Sequence, residues 1–361
     1  MKNRLLAIAP SVLAVALAML LGFVVVALTK GVSEAAGAFA SMFAGAFGEP
    51  SRVDELGVFA FLRPWGESAT KATLLTLTGL SVAVAFRVGL FNIGAQGQLV
   101  VGALVAALAG AHLALPAGLH AVVALGLAAV AGGAWASLAA WLKVRRGVHE
   151  VISTIMLNWV ALRLVEGWLV PGPARAQVEG NNSINGTDQV LPGAELPNLF
   201  GESSRLNAGF LLAVGVALAL LFFLQRSVRG FEWKVAGLNP HAAKAAGVPL
   251  ERTVVQAMAV AGACAGLAGA VLVLGTEHRY PGTISAPWGF DGIAMALLGQ
   301  GHPLGVLASA VWFGALRAGG TRLQLAGIHK SFPELIQGVA LVLVAARAAW
   351  ERLLARAVRR A

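Results

Sequence analysis

The sequence predicts an all-α integral membrane protein of about ten transmembrane helices, some of them discontinuous, with an inverted repeat in a single domain covering residues 1–361. Three observations predict it. Of the 361 residues, 58% are hydrophobic and 12% charged, whereas a soluble domain carries about 25% charged residues. The 44 glycines, with alanine in almost every apolar run, suit helices that approach closely where lipid removes the usual hydrophobic drive to pack. The net charge of +10 collects in short segments beside apolar spans, which argues for orientation in a membrane and against nucleic acid as a partner. The lone Cys264 excludes a disulfide within the chain.

Lys2 and Arg4 precede an apolar run from Leu5 to Leu28. It exceeds the roughly 7 to 15 apolar residues of a signal peptide and is about long enough to cross a bilayer. Residues 29–69 mix Glu34, Glu49, Asp54, Glu55 and Glu67 with Gly and Phe and read as an external loop with a partly amphipathic segment. Thr70 to Phe86 is a second span. The following FNIGAQGQ breaks the apolar rule: Asn92, Gln96 and Gln98 stand among Gly89, Gly94, Gly97 and Gly102. Backbone freedom beside hydrogen-bonding side chains is the pattern of a discontinuous helix. Amides left unpaired in hydrocarbon cost at least about 1 to 3 kcal/mol, so these must bond to neighbours or face water. A passage lining and a polar surface turn marked by Arg87 both fit.

Spans follow at 98–112 and 116–142, and Lys143, Arg145 and Arg146 mark a cytoplasmic turn. The next span carries Glu150, Ser153, Thr154 and Asn158 on neighbouring faces, which either look into a passage or satisfy hydrogen bonds between helices. Glu150 is placed to cap it, and Arg163 and Glu166, three apart, are placed to pair. Residues 171–207, with PGP, GNNSING and LPG clusters, read as an external loop.

After a span at 208–224 comes a basic cytoplasmic loop, 226–252, containing AGLNPHAAKAAGV. Asn239 caps a helix with Pro240 in first position, Gly247 closes it and Pro249 forbids continuation. Ala242, Ala243 and Ala246 then present a small, smooth face to another protein, unless the helix merely joins two spans. A span at 253–274 leads to a short apolar run, 293–298, between Asp291 and Gln300. It is too short to cross and reads as a half-helix with Asp291 as its N-terminal cap. The last span, 333–349, ends in a basic tail with Arg347, Arg352, Arg356, Arg359 and Arg360. Ten crossings and this bias of basic residues put both termini in the cytoplasm. The Gly-rich breaks occupy corresponding places in two blocks, 70–170 and 253–349, that start from opposite sides, as in an inverted repeat built for alternating access.

The chain has no GxxxxGK[ST] phosphate loop, no His and Cys cluster with metal spacing, and neither GxSxG nor HExxH. The sequence therefore predicts no enzyme, no cofactor and no metal. Its spans hold few carboxylates, which disfavours a proton-coupled carrier and leaves a separate ATPase as the energy source for uphill transport. An ion-coupled secondary carrier and a membrane scaffold are the rival classes. Copurification with an ATPase separates the first, and a solvent-accessible polar interior the second.

FNIGAQGQ, HEVISTIMLNWVAL, AGLNPHAAKAAGV and GFDGIAMALLGQGHPLGV resemble, in that order, the permease subunits of bacterial ATP-binding-cassette importers for nucleosides and simple sugars, within the branched-chain amino acid and ribose-type permease superfamily. The likeness runs from about residue 70 onward. It implies a bacterial inner-membrane protein working with a cytoplasmic ATPase, a second related permease and an external solute-binding lipoprotein. By this resemblance Asn239 to Gly247 is the coupling helix. The passage for a neutral solute is lined from the segments holding Asn92, Gln96, Gln98, Asn158 and Asp291. Glu150 to Asn158 looks most like the nucleoside branch. Trp159 and Trp288 adjoin the expected lining, where stacking on a base contributes about 1 to 3 kcal/mol. For Trp288 the ordinary role of an interfacial anchor is the simpler reading.

Overall fold

The computed structural model describes residues 2–49, 53–176, 185–201, 204–324, 327–329 and 331–346, with backbone alone for 2–9 and 53–60. The basic tail beyond residue 346 and most of the GNNSING cluster lie outside the described residues. Thirteen α-helices are described, with no β-strand beyond two isolated bridges. In order they are α1 (Lys2–Lys30), α2 (Val32–Phe47), α3 (Val53–Arg87), α4 (Ala95–His112), α5 (Leu119–Arg146), α6 (Glu150–Leu164), α7 (Gly209–Arg226), α8 (Val228–Leu238), α9 (Pro240–Ala245), α10 (Leu250–Leu272), α11 (Trp288–Leu298), α12 (Pro303–Leu323) and α13 (Phe332–Ala345). α6 and α10 each run on into a π-helical turn, Val165–Leu169 and Val273–Glu277.

Among the described residues, six helices are long and apolar enough to cross a membrane: Pro10–Lys30, Phe61–Arg87, Ala95–His112, Leu119–Arg146, Gly209–Arg226 and Leu250–Glu277. Val32–Phe47, Trp288–Leu298 and Phe332–Ala345 are apolar but shorter. The half-helix expected around 293–298 is α11. Residues 29–69 depart from the loop reading: Val32–Phe47 is a helix that buries Ala35, Ala38, Phe39, Met42 and Ala46, and α3 begins at Val53. The scattered acids concealed a period of 3.6, because alanine stands on the buried and the exposed faces of α2 alike. At 1.5 Å per residue α3 is about 52 Å long, well beyond a hydrocarbon core of about 30 Å.

The bundle is organised on α3 and α10. Their apolar windows are 83% and 78% buried, against 22% for α1, 33% for α5 and 28% for α7, so the latter three form the outer wall. α10 packs along α5 and α4, α3 along α12 and α11, and the two central helices lie against each other. Glycine permits the closest crossings. A Cβ on Gly132 of α5 would stand 2.8 Å from the Gly266 Cα of α10, and one on Gly314 of α12 would stand 2.6 Å from the Ala72 amide of α3. Such approach gives membrane helices the van der Waals contact that holds them together.

The segment at 185–201 is a strap. Its amides bond to the ends of α4 and of the α10 extension, Leu191 to the Gly110 carbonyl at 2.8 Å, Val190 to His278 at 2.9 Å and Leu196 to Leu274 at 2.8 Å. The expected Arg163–Glu166 pair gives way to a different tether. The Glu166 carboxylate accepts from the Tyr280 hydroxyl at 2.9 Å and the Ile284 amide at 2.8 Å. The π-turn from Val165 changes the helical phase there, so spacing alone misplaces the Glu166 side chain.

Candidate functional site

Between α3 and α4 the chain makes a non-helical turn, opened by Gly89 at φ +75°, and its polar side chains close on one another. The Asn92 and Gln98 amides exchange two hydrogen bonds of 2.9 Å. Asn92 also donates to the Ser81 hydroxyl at 3.0 Å and accepts from the Gly94 amide at 3.1 Å. Both residues are fully buried, and every donor and acceptor of Asn92 is used.

The other two amides cap helices from a distance. The first amides of any α-helix lack intrahelical partners, and α4 begins at Ala95 after Gly94, which offers no side chain. Asn158, on α6, supplies the missing group: its Oδ1 accepts from the Gly97 amide at 2.8 Å while its Nδ2 donates to the Ile93 carbonyl at 2.8 Å. Gln96 does the same for α11, its Oε1 accepting from the Gly289 amide at 2.8 Å and its Nε2 donating to the Ala286 carbonyl at 3.4 Å. The N-termini of α4 and α11 therefore abut. A Cβ on Gly289 would come within 2.6 Å of the Ala95 carbonyl carbon, so only glycine allows this meeting.

Asp291 is not the N-terminal cap of α11. The helix starts three residues earlier, at Trp288, with Pro287 in the cap position. The carboxylate instead pairs with Arg317 of α12 at 2.8 Å, the two side chains 9% and 13% exposed, and accepts from Gln337 of α13 at 3.1 Å. Arg317 also reaches Glu334 at 3.5 Å and stands 5.2 Å from the centre of the Trp288 ring, within cation–π range. Trp159 is 58% exposed on the outer side of α6 with Ile152 and Met156, away from the amides. One residue along a helix is a turn of about 100°, so it does not share the direction of Asn158. Glu150 does not cap α6; His149 does, and Glu150 pairs with Lys143 at 2.6 Å.

The loop between α7 and α10 has the cap geometry expected of it. The Asn239 side chain accepts from the Ala242 amide at 3.1 Å, Pro240 is the first residue of α9, and Gly247 follows at φ +83°. One part of the expected docking face needs correcting: Ala243 is fully buried against its own chain, while Ala242 and Ala246 are exposed. Positions four apart share a side of a helix and adjacent positions do not. The free face consists of Ala242 and Ala246, flanked by His241 and Lys244.

The model of the family described as branched-chain amino acid transport system / permease component matches residues 66–345. The chain belongs to this family. The permease is 34% identical over 295 residues to a guanosine ABC transporter permease of Bacillus subtilis, covering 80% of this chain and 83% of that one. It is 29% identical to a glucose ABC transporter permease of Haloferax volcanii over 76% of this chain and 74% of that one. A nucleoside ABC transporter permease of Lactococcus lactis is also 29% identical, with 82% of each chain covered. No solved structure matches.

Two buried features near the site escaped the sequence reading. One is α8, whose buried Gly230, Trp233 and Ala236 are spaced at i, i+3 and i+6 but lie hidden among charged residues. The other is Arg317, which had a legible signal, since an ionisable residue inside an apolar span marks a functional position by default. Removing one member of a buried ion pair costs about 3 to 5 kcal/mol, whereas replacing both members costs much less. Arg317→Ala is therefore expected to lower the thermal stability of the purified permease strongly, and adding Asp291→Asn to recover most of the loss. Equal, additive losses in the double variant would show that the pair carries no coupling.

Proposed function

We propose that the permease is one of two related membrane subunits of an ATP-driven importer that carries a nucleoside, or a related neutral sugar-like solute, into the cytoplasm. The observation that carries the reading is the match along most of its length to permeases named for guanosine and nucleosides. The interior supports it: where the broken helices meet, the side chains are neutral amides and hydroxyls, and the nearby charges of Asp291 and Arg317 are paired. A hydroxyl-rich neutral solute exchanges hydrogen bonds with such groups without meeting a fixed charge. In the described conformation Asn92, Gln96, Gln98 and Asn158 are occupied by one another and by backbone, so a passage opens by exchanging those bonds. The relative named for glucose favours simple sugars as the second reading.

An inverted repeat of α3–α6 with α10–α13 is supported by the exchange of pairings: α10 lies on α4 and α5 as α3 lies on α11 and α12. An ion pair links the helices in each half: Lys143–Glu150 joins the last turn of α5 to the start of α6, and Arg317–Glu334 joins α12, six residues before its end, to the start of α13. Ten crossings with both termini inside, a cytoplasmic ATPase on α9, a second permease and an external lipoprotein in a bacterial inner membrane complete the proposal. The test is uptake into proteoliposomes. With the ATPase, the second permease and the lipoprotein present, ATP should drive accumulation of labelled guanosine, and excess unlabelled nucleoside should compete better than glucose. Accumulation that proceeds without the ATPase would refute the proposal, and stronger competition by glucose would favour the second reading.

A further inference from the structure

We propose that the backbone contact between Gly237 of α8 and the Arg87–Gly89 turn is the point at which the cytoplasmic loop moves the broken helices, which makes Gly237 a positioning residue for transport. The inference rests on the reading of α9 as the ATPase-docking helix.

The geometry is a series of stiff links. Asn239 ends α8 and caps α9 at once, so no flexible residue separates the two helices. The upper end of α8 is fixed to α7 by Ser227, whose hydroxyl donates to the Phe223 carbonyl at 2.7 Å and accepts from the Gly230 amide at 2.9 Å, and by Trp233 packed edge-on against Phe223 at 5.0 Å. The other end of α8 presses on the end of α3. A Cβ on Gly237 would collide with the Arg87 carbonyl oxygen and stand 3.1 Å from the Gly89 amide, and one on Gly89 would stand 3.4 Å from the Gly237 Cα. Two glycines thus place two backbones in direct contact, with no side chain between them to absorb a displacement.

Beyond Gly89 the turn is itself rigid. The Leu90 amide bonds back to Ala85 at 3.0 Å, and the Asn92, Gln98 and Ser81 side chains lock the remainder. A displacement at Gly89 therefore carries the turn as a unit. On its far side Ile93 is held by Asn158 of α6, and the first turn of α4, into which it runs, brings Gly97 to the same Asn158 and Gln96 to α11. Close-packed interiors have discrete arrangements and do not deform continuously, so a push of α8 has two outlets, α6 and α11. The physical warrant for a coupling route is that both sites bias one such element; the 88–94 turn is bonded to α6 through Ile93 and runs straight into the first turn of α4, whose Gln96 is bonded to α11.

Hydrogen exchange on the assembled wild-type complex tests this without any substitution. Adding ATP should change exchange rates at least twofold in residues 228–238 and in 88–94 together. A change confined to 228–247, with 88–94 unmoved, would overturn the proposal. Gly237→Ala adds the second arm: the complex should still assemble, while solute moved per ATP hydrolysed falls tenfold or more. An unchanged ratio, whether both rates fall in step or neither falls, would also overturn it. Copurification of the wild-type permease with the ATPase is measured first; its absence would remove the docking reading, whereas its presence with a silent 88–94 turn would remove this inference alone.

Discussion

Ala242→Glu should reduce the amount of ATPase that copurifies with the permease at least tenfold, with membrane insertion unchanged. Ala242 is exposed and belongs to the free face of α9 with Ala246. A face of two alanines buries little area, so its contribution to binding is shape: it admits a close partner surface. A carboxylate placed there must lose water on docking. An unpaired polar or charged group buried in an interface costs several kcal/mol, and each 1.4 kcal/mol is a factor of ten in affinity. Inserted into the membrane, the variant should keep its helix packing, because Ala242 is exposed. Ala243→Glu has a different expected outcome. Ala243 is fully buried within its own chain, so that variant should disturb α9 itself. Comparing the two, with proteolysis of the loop as the readout of α9 folding, separates docking from folding. Undiminished copurification of Ala242→Glu would dismiss α9 as the docking element.

Gln96→Leu should abolish transport and lower thermal stability measurably, because one amide side chain joins α4 to α11. Its loss leaves the Gly289 amide buried without an acceptor and weakens the restraint on the Ala286 carbonyl. An unsatisfied buried donor costs about 1 to 3 kcal/mol. Hydrogen bonds between membrane helices average only about 0.6 kcal/mol in double-mutant cycles, but those cycles remove pairs whose members find other partners. The Gly289 backbone is packed directly against Ala95–Gln96, and the acceptor its amide uses is Gln96 Oε1. Gln96→Glu keeps an acceptor and should retain more stability than Gln96→Leu while carrying a charge into the neutral centre, so its transport should remain low. Full uptake by Gln96→Leu would place the passage elsewhere.

Much of the architecture was legible from residue order alone. Uninterrupted apolar runs placed the spans at α4, α5, α7 and α10 close to their observed ends, since crossing lipid forces a helix of a certain length. The Asn239–Pro240 cap and Gly247 placed α9, because capping chemistry is local. α2 was missed because alanine occupies both its buried and its exposed faces, which leaves little apolar contrast around the buried Phe39 and Met42. α8 was missed because its packing face is defined by α7 and the α3 turn, which lie far away in sequence.

The site shows the same division. That Asn92, Gln96, Gln98 and Asn158 would not face lipid follows from the cost of an unpaired amide in hydrocarbon. Which groups they bond is a matter of distance in space: Asn158 meets Gly97 across 61 residues and Gln96 meets Gly289 across 193. Asp291 looked like a cap because its position suggested one, yet the cap site went to Pro287 and the carboxylate to Arg317 of the next helix. Residue type and spacing by themselves determined a bundle of membrane helices broken by polar glycine-rich turns, with a capped helix in a basic loop. Only the tertiary structure decided that α4 and α11 meet end to end, α11 capped from α4 and α4 capped from α6, because hydrogen-bond partners are chosen by proximity, which the folded chain alone establishes.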